Sequence, residues 1–188
     1  MKSALERALE RAEKLGRLSP EERQKAKKEE YSAIGQGIAH RYLKQGDKAV
    51  LKRQIEQYEG EQGQIVSQAV FSVLLDKIEL DDEEKTTARA IEGLAALQQG
   101  EDLAEALGKI RELLAEYQQA KLKALEKGKS LAAKAIREEL HRLRISGSAV
   151  GEVNLKVSPA WNELMERFQP RFREQLTSLK QELEARLS

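Results

Sequence analysis

The chain contains no cysteine. Disulfides, thiolate nucleophiles and cysteine-ligated zinc are thereby excluded. A thiol-free composition fits a reducing compartment and sets the expectation of a cytoplasmic protein. Valine and isoleucine together number only 16, and there are three prolines. So few β-branched residues rule out a large sheet. Eight aromatic residues leave any core mostly aliphatic. No apolar run approaches the roughly 20 residues needed to cross a bilayer, so no membrane partner is expected. The opening residues, Met1 to Arg7, turn charged too soon for a signal peptide. A net charge of +1 gives no bulk attraction for nucleic acid or anionic lipid, so only a local patch can supply one.

What is present is helix-forming. Leucine, alanine, glutamate, lysine and arginine make up 109 of the 188 residues. With apolar residues spaced three and four apart, that composition marks long helices. The fold class expected is all-α: an elongated bundle of about six helices in a single domain, 1–188, with a weak subdivision near 80–84. One short extended segment is expected near 152–157.

The helix boundaries follow from local signals. Ser3 and Glu6 have capping-box spacing ahead of a stripe of Leu5, Ala8, Leu9, Ala12 and Leu15, which Gly16 ends. Ser19-Pro20-Glu21-Glu22 supplies an N-cap, a proline at the first helical position and a capping-box glutamate. This helix is expected to run to about Gln45, with Gly46 stopping it. Asp47 caps a third segment, which Gly60 and Gly63 interrupt. The pattern resumes from Ile65 to Ile78, apolar on more than one face, and a helix of that kind is usually buried. Residues 65–78 are therefore expected to form the core element. Asp81, Asp82, Glu83 and Glu84 form an acidic turn suited to the positive end of the next helix dipole, and that helix runs to about Gln99.

The stretch 101–145 contains no proline and keeps a near-continuous stripe. It runs through Leu103, Ala106, Leu107, Ile110, Leu114 and Tyr117, then Leu122, Leu125, Ala132, Ile136, Leu140 and Leu143. Unbroken, it would span about 65 Å, against a radius of gyration of about 16 Å for a compact globule of this size. It must bend near Gly128, belong to an elongated protein, or pack its overhang on another chain. Residues 146–157 hold serines and glycines beside the alternating Val153, Leu155 and Val157, and read as a loop with a short extended piece. Ser158-Pro159 opens the last helix, in which Pro170 is expected to make a kink.

Catalytic and metal signatures fail on inspection. Gly128-Lys129-Ser130 resembles the end of a phosphate-binding loop, but Lys123 stands where that motif needs glycine and no strand precedes it. Glu138-x-x-His141 is half of a di-iron motif, yet the second histidine, His40, has Gly37 in the glutamate position. The acidic cluster at 81–84 lacks the spacing of a calcium loop. No Gly-x-Ser-x-Gly elbow is present. No catalytic residue, metal or cofactor is expected, and an enzyme has no positive signature.

Two features point outward. Lys123, Lys127, Lys134, Arg137, His141 and Arg144 fall within about a 100° sector of a helix, opposite the apolar stripe. From Lys121 to Ser146 there are eight Lys and Arg against three Glu. Such a stripe is a solvated face or a site for phosphates or an acidic partner helix. The second feature is the 146–157 segment, where Ser146, Gly147, Ser148, Gly151 and Asn154 are candidates for an anion, a small ligand or a partner strand. The function expected is a non-catalytic helical scaffold or protein-interaction module, acting as a homodimer. Alternatives are nucleic-acid or polyanion binding through 121–144 and ligand binding at 146–157.

Overall fold

The computed structural model describes residues 19–81, 85–97, 101–144 and 159–185. The protein is all-α. Among the described residues there are six helices and no strand: α1 (Pro20–Gln45), α2 (Lys48–Ile55), α3 (Gly60–Asp76), α4 (Thr86–Leu97), α5 (Glu101–Arg142) and α6 (Pro159–Ala185). The helix expected at 4–15 and the extended segment expected near 152–157 lie outside the described residues. The chain divides into two compact units, Met1–Gln99 and Gly100–Ser188.

Local chemistry sets the helix ends in the first unit. The Ser19 hydroxyl accepts from the Glu22 amide at 3.2 Å, and the Glu22 carboxylate accepts from the Ser19 amide at 2.7 Å. That reciprocal pair satisfies two amides that the first turn would leave unpaired. The Ser19 amide first, and the Ser19 hydroxyl after it, hold the Glu22 carboxyl below its usual range, because hydrogen bonds donated to the carboxylate favour its charged form. Gly46 ends α1 with φ of 78°, a left-handed conformation that glycine adopts without strain. Asp47 then starts α2 by accepting from the amides of Ala49 and Val50, at 2.9 and 3.1 Å.

The apolar helix α3 is the centre of this unit. It packs most extensively on α1 and also meets α2 and α4. Val66, Val70, Phe71, Leu74 and Leu75 are buried on it, and Ile38, Ala39, Tyr42 and Leu43 are buried on α1. Gly35 permits the close crossing of α1 and α3: a Cβ there would stand 2.6 Å from the Val66 carbonyl oxygen and 2.7 Å from the Ala69 methyl. The expected interruption at Gly60 and Gly63 is placed differently. The helix already begins at Gly60, and Gly63 lies inside it, pressed against the Tyr58 carbonyl. Glycine here admits backbone contact at the start of the helix and does not delay that start.

Polar side chains tie the ends together. Arg89 of α4 donates from Nη1 to the carbonyls of Leu43 and Lys44, at 2.8 and 3.2 Å, and so caps the C-terminal turn of α1. The Tyr42 hydroxyl returns a bond to the Arg89 carbonyl at 3.0 Å. Burial, aided by the Glu92 carboxylate and opposed by the Arg89 guanidinium, pushes the Tyr42 phenol above its usual pKa. The buried Thr87 hydroxyl accepts from the Glu79 amide at 3.0 Å and lies 3.3 Å from the carbonyls of Lys77 and Glu79, closing the turn after α3.

The second unit is built from α5 and α6. Helix α5 runs for 42 residues and takes in Gly128 without a break in its helical backbone. Helix α6 contains Pro170 in its interior, with the ring exposed.

Candidate functional site

The surface worth attention is the distal half of α5, and α6 defines where it begins. Tyr117 is fully buried and stacks on Phe168, with centroids 5.5 Å apart, and meets Phe172 edge-on at 5.4 Å. The Gln169 side-chain amide reaches the Tyr117 hydroxyl at 3.4 Å, and the Lys121 ammonium lies 5.7 Å from the centre of the Tyr117 ring. From this anchor, an antiparallel pairing sets the buried Leu176 and Leu183 of α6 level with the buried Ile110 and Leu103 of α5. A parallel pairing would instead place Leu183 level with the exposed Leu131.

With that register, the start of α6 stands at the level of roughly residue 128 of α5. About 14 residues of α5, or some 20 Å, then run on beyond it. Burial follows the same division. Leu103, Ala106, Leu107, Ile110, Leu113 and Tyr117 are buried, whereas no described residue of α5 after Tyr117 is. The sequence stripe named Leu114; the structure buries Leu113 and leaves Leu114 half-buried. It also places two residues of the expected distal stripe in solvent: Leu122 is 59% exposed and Leu143 is 57% exposed. Leu131 is 60% exposed. Among the described residues these three are the large apolar side chains that stand open to water.

All six residues of the predicted basic stripe, Lys123, Lys127, Lys134, Arg137, His141 and Arg144, are exposed. Lys134 makes a long ion pair with Glu138, 3.9 Å and one turn along. Among the described residues, Lys123, Lys127, Arg137 and His141 make no ion pair. Arg144 stands just past the helix with φ of 54°, its amide donating to the His141 carbonyl at 3.2 Å. The helix therefore brings Lys123, Lys127, Lys134, Arg137 and His141 onto one open face, and Arg144 lies outside the helix. Ser146, Gly147, Ser148, Gly151 and Asn154, the other predicted site, lie outside the described residues.

A family model matches residues 52–185, more than half of the chain. The chain belongs to the family of unknown function DUF6657. The DUF6657 region opens inside α2 and ends at the last residue of α6, so it takes in the core helix α3, the whole of α5 and every member of the basic stripe. No curated protein and no solved structure matches the chain. Among the described residues of this DUF6657 chain, no three His, Asp or Glu side chains come together as a metal site would require. Likewise among them, no helix is long and apolar enough to cross a membrane.

Exposed ammonium, guanidinium and imidazole groups beside isolated leucines offer charge together with apolar contact.

Proposed function

We propose that this DUF6657 protein is a non-catalytic helical interaction module that self-associates as a homodimer through the distal half of α5. The observation that carries the reading is the continuous 42-residue helix, covered by α6 over its first part, with Leu122 and, one residue past its end, Leu143 in water beyond Tyr117. Leu122, Leu125, Ala132 and Leu143 share the flank of the helix away from the cations. A second copy laid antiparallel on that flank would meet the same residues in reverse order, as a two-fold contact requires. The cysteine-free composition suits work in the reducing cytoplasm.

The test is molar mass in solution by light scattering, over a concentration series up to about 100 µM. The wild type is expected at twice the chain mass, and the double variant Leu122→Glu, Leu143→Glu at the mass of one chain with its helical circular dichroism intact. A wild-type protein that stays at one chain mass throughout the series contradicts the dimer.

A further inference from the structure

We infer that the cationic face of distal α5 docks an acidic amphipathic helix of a partner protein; the inference rests on the interaction-module reading and uses the side of α5 that the proposed dimer leaves free. It begins with the seam of α5. Counted in alternating steps of three and four from Leu103, the seam runs through Ala106, Ile110, Leu113 and Tyr117, all buried, and then the half-buried Ala120 and Ala124. The same count arrives next at Lys127, Leu131, Lys134, Glu138 and His141, all exposed. This is one continuous seam of three-and-four spacing whose chemistry changes from apolar to charged, with Leu131 between two lysines, near the level where α6 begins.

Solvation alone accounts for charge on an open face, but not for charge of one sign. Residues 21–30 of α1 form an open face with four acids and four bases, whereas 121–144 carry eight bases and three acids. The helix dipole favours cations only within the last turn, and Lys123, Lys127 and Lys134 stand two or more turns from the end. The excess is thus a local positive field along about 30 Å of helix.

Leu131 decides the class of partner. It lies one turn from both Lys127 and Lys134 and is 60% exposed, so an occupant must offer carboxylates on either side of an apolar ridge. A helix with apolar residues three and four apart, flanked by Glu or Asp, does so. A second copy on this face would set lysine against lysine. A nucleic-acid backbone would use the cations and leave Leu131 in water.

The experiment measures fluorescence anisotropy of three labelled probes titrated with the full chain. The probes are a synthetic peptide of about 21 residues with leucine at seam positions and glutamate beside them, its scrambled counterpart of equal charge, and a short DNA duplex. The amphipathic peptide is expected to bind at least about tenfold more tightly than either control. Leu131→Ser is expected to weaken that binding by about tenfold, and Lys127→Glu with Lys134→Glu to weaken it further. All three positions are exposed, and unchanged circular dichroism and thermal midpoint certify the fold. Equal binding of the scrambled peptide or the duplex overturns the inference in favour of a general polyanion surface. Absence of binding by the amphipathic peptide, or indifference to Leu131→Ser, overturns it outright. None of these results bears on the molar mass, so the dimer stands or falls separately.

Discussion

Proximal and distal α5 are one helix with two fates. From Leu103 to Tyr117 the seam is apolar and buried, and it is locked by an aromatic trio of Tyr117, Phe168 and Phe172. From Lys127 onward the same spacing carries charge, and Leu131 stands in water. The backbone is equally helical in both halves. The lesson is that periodicity specifies which residues share a face, while burial depends on whether another helix reaches that face.

The comparison predicts a graded set of mutational effects. The largest belongs to the anchor. Tyr117→Ala removes a fully buried ring from the centre of the α5–α6 contact and should cost about 3–5 kcal/mol, measured by chemical denaturation of the second unit's transition. A loss below about 1 kcal/mol would mean that the aromatic trio does not hold the two helices together.

The closed seam of the first unit gives the next effect. Gly35→Ala drives a methyl into the Val66 carbonyl and the Ala69 side chain, and should destabilise by about 1–3 kcal/mol. Gly37 lies on the same helix with open space around it, so Gly37→Ala should stabilise by about 0.5–1 kcal/mol. Equal effects at the two positions would contradict the close crossing.

The smallest effect belongs to the open half. Leu131→Ser should change the stability of the free protein by less than about 0.5 kcal/mol, since the side chain leaves little apolar surface to lose. A large loss there would show that the distal face is already core, and would erase the distinction between the two halves.

The legible parts of the fold were those encoded by neighbouring residues. Ser19, Pro20 and Glu22 announced the start of α1, Gly46 its end and Asp47 the start of α2, because each acts through bonds to residues three or four away. The apolar run from Ile65 to Ile78 marked the core helix through its all-round hydrophobicity. Long-range contacts left no such mark. Arg89 capping α1 and Gly93 lying against the Tyr42 ring join positions more than forty residues apart, and neither residue differs in pattern from its neighbours. Gly63 misled for a related reason: a glycine that breaks a helix and one that lets a carbonyl approach look the same in one dimension.

The candidate surface was half legible. The angular sector of Lys123, Lys127, Lys134, Arg137 and His141 was computable from 100° per residue, and these five are exposed on α5, whereas Arg144 stands past the helix end, where that count stops. What the stripe could not say is that α6 begins near the level of residue 128 and leaves Lys134, Arg137 and His141 beyond it. That limit depends on the register set by Tyr117 against Phe168 and Phe172, a pairing fifty residues apart in the chain.

Hydrogen exchange along α5, read residue by residue on the dilute protein, tests the division most directly. Amides from Leu103 to Tyr117 should exchange with the global unfolding of their unit, and those from Ser130 to Arg142 at least about tenfold faster through local opening. Uniform protection from one end of the helix to the other would contradict the account.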